Sequence, residues 1–403
     1  MPAIDSFPPT RTEALNRLRS FVPHAGKDYA ALRNHDLGPG RHRHVSTLSP
    51  YVRHRLITED EVLQAVLGRH SRNSADKFIQ EVFWRTYFKG WLEMRPGVWD
   101  SYRKATLRLM DDIATQSGLR HRWEAACKGE TGIECFDAWA RELVETGYLH
   151  NHARMWFASI WIFTLRLPWE LGADFFLRHL LDGDPASNTL SWRWVGGLHT
   201  RGKTYLARPS NIAKYTDGRF SPAAGELASE APPVDGPDNP ARMAPPTGDR
   251  FDPTRPTVLL LHEDDLAPGW LFDLGLNPLG TARLDVSARL SPLEPAPHVA
   301  AFKSAAMDDV CARWSNKLGP VKALSDPAAM TGWARSLGAE QIVTSYAPIG
   351  PVAEALRAVD GMPVVQPLRP FDANAWPSAT HGFFKFRERI PHLLGTLHGL
   401  RAA

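Results

Sequence analysis

The sequence predicts two folded regions of different character: an all-α domain followed by an α/β domain with a doubly wound parallel sheet. Three observations carry that expectation. Apolar residues recur at i, i+3 and i+4 through the first 220 positions, short β-branched runs alternate with helical segments after residue 256, and a proline-rich stretch lies between. With 403 residues, 43% hydrophobic and 23% charged, the chain is in the ordinary globular range and long enough for two or three domains. A disordered or collagen-like chain is excluded.

Five segments of the first region have the helical repeat: RTEALNRLRSFV (11–22), EDEVLQAVLGRH (59–70), ADKFIQEVFWRTYFKGWLEM (75–94), CFDAWARELVETG (135–147) and HARMWFASIWIFTLRL (152–167). Thr58 and Ser74 are placed to cap the second and third, since a hydroxyl there accepts from an otherwise unpaired N–H. Met155 to Leu167 is apolar nearly all round, which predicts a central, buried helix. Nothing in this region reads as a strand. Residues 221–256 hold nine prolines and few large apolar side chains. Such a segment cannot bury enough surface to offset its ordering entropy, so it is a linker, extended or wrapped over the surface.

From Thr257 the pattern alternates. TVLLLH, a run around ARLDVSARL, PVKALS, QIVTSYA and MPVVQPL are the strands; HVAAFKSAAMDDVCARWSNKL, PAAMTGWARSLG and PVAEALRAV are the helices between. The GxGxxG fingerprint is absent, so dinucleotide binding in the usual manner of such sheets is not supported. The predicted units are therefore 1–220, a linker at 221–256, and 257–403.

Charge and aromatics are unevenly shared. Residues 1–220 carry 31 basic against 24 acidic side chains and ten of the fourteen tryptophans, whereas the remainder has 16 basic against 20 acidic. A basic, tryptophan-rich half suits a polyanion or an aromatic ligand, although tryptophan also fills cores. No apolar run approaches the ~18 residues of a membrane span, and the N-terminus lacks a basic-then-apolar leader. Cys127, Cys135 and Cys311 have no CxxC or zinc spacing. A reduced cytoplasmic protein without a structural metal or a membrane partner is expected.

One segment is dense with unusual choices: LLDGDPASNTLSWRWVGGLHT, residues 180–200. Buried carboxylates need partners, and Arg154 is the obvious one for Asp182. Asp184 and Asn188, four apart, share a helix face and together accept and donate, which suits the polar edge of a heterocycle. A structural ion pair with capping residues is the alternative.

The string DGDPASN followed by WRW resembles the flavin-binding signature of the DNA photolyase/cryptochrome family. The resemblance runs back through GETGIECFDAWARELVETGYLHNHARM, EVFWRTYF, HVSTLSPYV and the Tyr29–Arg33 spacing, six motifs in the family's order over nearly all of the first region. It implies an FAD site. Ser46, Thr47, Leu48 and Ser49 would meet the pyrophosphate ahead of a helix, with Tyr29 another contact to the flavin or its phosphates. Arg85, Asn151, Arg154, Asp182, Asp184 and Asn188 would surround the isoalloxazine, Asn188 facing N5. Val45 stands where the family often has Thr.

On the substrate side the resemblance implies that Arg33, Glu81, Trp84 and Trp194 hold a flipped pyrimidine dimer in ultraviolet-damaged DNA, aromatic walls and a carboxyl being what a flipped lesion requires. Core packing is the alternative for both tryptophans. Asn151 stands where (6-4) enzymes have a second His, so the cyclobutane dimer is the implied substrate. Trp192 and Trp169 match the inner and middle members of the family's electron relay; no Trp occurs near Ile113 for the outer one, leaving Trp91, Trp139 and Trp161 as candidates. In the family an α/β antenna domain comes first. Here TVLLLHEDDL and FKFRERIP resemble that domain's opening and closing motifs but come second, which implies a circular permutation. The second region then binds an antenna pigment or serves only as a structural partner; no motif decides. The resemblance implies a light-dependent repair lyase, with a blue-light receptor that does not repair DNA as the alternative. A monomer is expected.

Overall fold

A computed structural model describes residues 6–397. The first part is helical, and no strand among the described residues precedes Thr257. Helices α1 (Arg11–Phe21), α2 (Lys27–Leu32), α3 (Ser49–Arg53), α4 (Glu59–Leu67) and α5 (Arg72–Glu93) are followed by α6 (Gly97–Thr115), α7 (Ser117–Lys128), α8 (Glu134–Thr146) and α9 (Asn151–Ser159). Then come α10 (Trp169–His179), α11 (Pro185–Val195) and α12 (Pro209–Tyr215). The long α5 is the spine: it packs against α2, α4 and α11, and buries Phe78, Phe83, Tyr87 and Trp91.

Thr58 caps α4 in a reciprocal box with Glu61, as its position predicts. Ser74 does not cap α5. The helix begins a turn earlier, and Ser71 accepts from the Ser74 N–H. The apolar segment after Met155 is central, but α9 gives way at Ile160–Thr164 to a π-helical turn before Pro168. Helices α6, α7, α10 and α11 lie outside the five segments with the helical repeat; α10 and α11 are buried on nearly every side.

Residues 221–256 form no helix or strand and lie along the helical part. Val234 N–H donates to Gly196 O, Met243 N–H to Met94 O, and Asn239 binds the carbonyls of Leu198 and His199. The chain then enters a five-stranded sheet, β1 (Thr257–His262), β2 (Thr281–Leu284), β3 (Val321–Leu324), β4 (Gln341–Val343) and β5 (Val364–Val365). The strands are all parallel in the order β3-β2-β1-β4-β5. Helices α13 (Gly269–Asp273), α14 (Pro297–Arg313), α15 (Ser315–Leu318), α16 (Ala329–Ser336) and α17 (Pro351–Leu356) make the crossovers. The predicted helix 298–318 is thus two, broken at Trp314. After β5 come α18 (Pro370–Ala375), α19 (Phe383–Arg387) and α20 (Ile390–Gly395), which return to the helical part. Gly90 shows how closely: a Cβ there would lie 2.8 Å from the Trp376 backbone.

In doubly wound sheets ligands favour the crevice where strand order reverses, here at the ends of β1 and β4. Helical-region side chains fill it. Arg53 binds Asp264 at 2.5 Å and Glu263 at 3.5 Å; Arg55 binds Glu59, Asp265 and Asp372; Glu93 accepts from Tyr346 OH and Ile349 N–H, both at 2.7 Å. Arg53 and Arg55 are almost wholly buried, so the two parts meet through paired, desolvated charge rather than a wet seam.

Candidate functional site

The loop 46–49, the middle of α5, the start of α9 and the turn before α11 converge. Arg154 meets Asp182 in a two-pronged ion pair at 2.9 and 3.0 Å, and its Nε donates to Leu149 O. Burial alone would raise the Asp182 carboxyl, but the Arg154 guanidinium and a hydrogen bond from Ser49 hold it below the usual carboxylate range. Arg85 reaches Ser49 O at 3.5 Å, and its Nη1 is buried without a hydrogen-bond partner, 3.9 Å from Asp184 Oδ2.

Asp184 caps α11, accepting from Ser187 N–H at 2.7 Å. Its Oδ2 also lies 3.6 Å from Lys89 Nζ and 3.7 Å from Arg53 Nε, and these cations outweigh burial and keep it ionised far below the ordinary range. Asn188, one turn on, donates through Nδ2 to Ala173 O at 2.7 Å, which leaves its carbonyl oxygen for a ligand. Asn151 is the exposed first residue of α9.

The hydroxyl loop differs from expectation. Helix α3, which follows it, has only five residues, too few for a substantial N-terminal dipole. Positive charge comes instead from Arg17, whose Nη1 donates to Thr47 Oγ1 at 3.0 Å; Thr47 itself sits at φ +51°, a strained backbone for a β-branched residue. Leu48 is buried, and Ser46 Oγ accepts from Leu48 N–H. Tyr29 packs edge-on against Phe21 and Phe78, with the Arg33 guanidinium beside its ring. Arg17, Arg53 and Lys89 escaped the sequence reading because nothing local marks them; only the fold brings them to Thr47 and Asp184.

On the substrate side Arg33 and Glu81 form a close ion pair, so Glu81 is not tied to Arg85. Burial pushes the Glu81 carboxyl up, and Arg33 opposes the shift. Trp84 is half-buried, and one of its faces is covered. Phe383 from α19 stacks on it, centroids 3.7 Å apart and planes 12° from parallel, and a base on that face would have to displace it. Trp194 stacks with Tyr205 at 5.8 Å. Trp192 packs among Phe176 and Trp161, and Trp169 meets Tyr102 at 5.8 Å. Of the outer-relay candidates, Trp161 touches Trp192, whereas Trp91 lies against His199 and Trp139 against Trp156. A surface cavity of about 520 Å³ is lined by Trp123, Cys127, Arg178 and Phe175, the last of which stacks with Trp161.

Residues 78–220 match the FAD binding domain of DNA photolyase. Over that span the helical part of this chain is similar to the DNA photolyase/cryptochrome family. The deoxyribodipyrimidine photo-lyase of Salmonella typhimurium is 30% identical over 206 residues, 50% of this chain and 42% of that protein. The one from Synechococcus is 32% identical over 194 residues, 46% of this chain and 38% of that protein. A bacterial class III photolyase structure from Agrobacterium tumefaciens is 29% identical, covering 52% of this chain and 43% of that one, with a TM-score of 0.40. The chain thus spans about two fifths of the length of these photolyase relatives. No described helix is long and apolar enough to cross a membrane.

The photolyase-type residues fit FAD. Arg17 offers a cation to a pyrophosphate, the Arg85 Nη1 and Ser187 Oγ atoms are buried with no hydrogen-bond partner, and the Asn188 carbonyl is free to accept.

Proposed function

We propose that the chain is a light-driven flavoprotein that splits cyclobutane pyrimidine dimers in ultraviolet-damaged DNA, built in a circularly permuted order with the flavin domain ahead of the antenna-like domain. The observation that carries this reading is the convergence of Ser49, Arg85, Asp184 and the Arg154–Asp182 pair inside the matched flavin domain. FAD, when bound there in its reduced form, supplies an electron under light. The chain's own residues do the rest. Arg85, Arg154 and Asp182 tune the charge beside the ring, Arg17 with Ser46, Thr47 and Ser49 holds the phosphates, and buried Asp184 fixes three cations in place.

Glu81 and Arg33 would meet the lesion's carbonyl and imide edge, placing a polar group where negative charge develops. A second reading, a light receptor that does not repair, draws support from Phe383, which covers one face of Trp84. Binding to irradiated and intact oligonucleotides separates the two. Repair requires tighter binding of irradiated DNA, weakening with salt as phosphate contacts release counterions. A dissociation constant indifferent to irradiation supports the receptor.

A further inference from the structure

We propose that the electron relay of this chain ends on Trp99, and that Glu354 of the α/β domain takes the Trp99 indole proton when that ring is oxidised. The proposal rests on the flavin reading above. It replaces the missing outer tryptophan with a side chain that no sequence spacing marks.

The path runs through contacts. The Trp192 ring lies on Gly172 so closely that a Cβ there would come within 2.3 Å of it, and Trp169 is one turn before Gly172 on α10. Trp169 stands 5.8 Å from Tyr102, centroid to centroid, and Tyr102 stands 5.2 Å from Trp99, both on α6. Each of these rings is oxidisable, and they are placed in sequence from the candidate flavin site to the domain boundary, with Gly172 between Trp192 and Trp169.

What ends a relay is the ability to lose a proton, because an oxidised indole or phenol is a strong acid and a hole that stays charged returns. Trp192 Nε1 and the Tyr102 hydroxyl are buried, and neither finds a hydrogen-bond partner among the described residues. Burial also holds the Tyr102 phenol well above its ordinary range. Trp99 differs: its Nε1–H donates to Glu354 Oε1 at 2.6 Å across the domain boundary, and with 1% exposure it is met by the carboxylate rather than by water.

The competing rings lack one feature or the other. Trp161 touches Trp192, but its N–H points at the Pro168 carbonyl, which takes no proton. Trp139 donates to the Asp36 carboxylate at 3.0 Å, yet its ring neighbours are Trp156 and Phe220, neither of which is on the Trp192 row.

The step balances. One electron leaves Trp99 and passes through Tyr102, Trp169 and Trp192 to light-excited, oxidised flavin. The Nε1–H bond breaks with its electron pair staying on nitrogen, and the proton bonds to Glu354 Oε1, leaving a neutral tryptophanyl radical. A thiol in solution later returns one electron and becomes oxidised, and Glu354 returns the proton.

The test compares the wild-type flavoprotein with Trp99→Phe and Glu354→Gln. Glu354→Gln keeps a hydrogen-bond acceptor but cannot take the proton. It should retain flavin, show a protonated rather than neutral tryptophanyl radical after a light pulse, and lose ~10-fold in the rate of thiol-supported photoreduction. Trp99→Phe should abolish that radical. Ultraviolet resonance Raman of the flavin-free chain should show one strongly hydrogen-bonded indole N–H that disappears in Trp99→Phe. Absence of flavin from the wild-type preparation overturns the flavin reading and this proposal with it. Normal flavin with wild-type photoreduction in both variants, or a loss seen with Trp139→Phe instead, overturns this proposal alone.

Discussion

Replacing Phe383 with leucine should tighten binding of a pyrimidine-dimer oligonucleotide. Phe383 is 3% exposed and stacks on Trp84 at 3.7 Å, with Tyr87 and Phe386 at 5.6 and 6.0 Å. A flipped base that uses the same Trp84 face must first break that stack. An aromatic pair contributes ~0.5–1.5 kcal/mol beyond its burial, so removing it lowers the cost of admitting the base by a comparable amount. At ~1.4 kcal/mol per tenfold, the dissociation constant should fall about 2–10-fold. Leucine keeps apolar volume in the pocket, so the loss of stability should stay near ~1 kcal/mol, against ~3–5 kcal/mol for alanine. Fluorescence anisotropy with a single-dimer strand reads the affinity, and urea unfolding reads the stability. A folded Phe383→Leu protein that binds the dimer no better, or worse, would refute the view that Phe383 guards a lesion site on Trp84.

Asp182→Asn breaks the bidentate pair with Arg154, whose side chain is 23% exposed; discounted for that exposure, the loss should be ~2 kcal/mol of stability together with much of the flavin, read by urea unfolding and by flavin absorbance per chain. Wild-type stability would contradict this. Glu81→Gln should leave flavin content intact and lower the yield of dimer splitting, by up to the ~10²–10³ typical of removing a group that meets developing charge; a variant that instead loses stability and flavin would mark Glu81 as structural. Glu93, buried against Tyr346 and Ile349, has its carboxyl pushed up to about 7 by desolvation. The folded state therefore holds that proton where the unfolded state has lost it, so stability is greatest below the unfolded value and falls as pH rises towards 7, by ~3 kcal/mol in all. Glu93→Gln should flatten that part of the profile, and an unchanged pH slope would rule the assignment out.

The two-region grammar was legible because each kind of element has its own period: Thr58 and its box, the β1 run and the alternation after Thr257 all read locally. Boundaries were less so. Ser74 looks like a cap, but Arg72 and Asn73 tolerate a further turn and Ser71 takes the role. Buried helices α10 and α11 lack a polar face, so no amphipathic stripe announces them. At the site, Arg154 and Asp182 could be paired from chemistry alone. Arg17, Lys89 and Arg53 could not, since their partners lie 30, 95 and 131 positions away and are set only by tertiary packing. Phe383 was equally hidden: its motif reads as the close of the α/β domain, and only the fold lays it on Trp84.

We propose that this chain uses light and reduced FAD to split pyrimidine dimers. The direct measurement is anaerobic: purified protein with its flavin reduced, an oligonucleotide carrying one cyclobutane thymine dimer, and the dimer content followed under blue light and in darkness. A repair enzyme restores the thymines only when both light and bound flavin are present. A protein that carries reduced flavin and binds the strand, yet leaves the dimer intact under illumination, would contradict it.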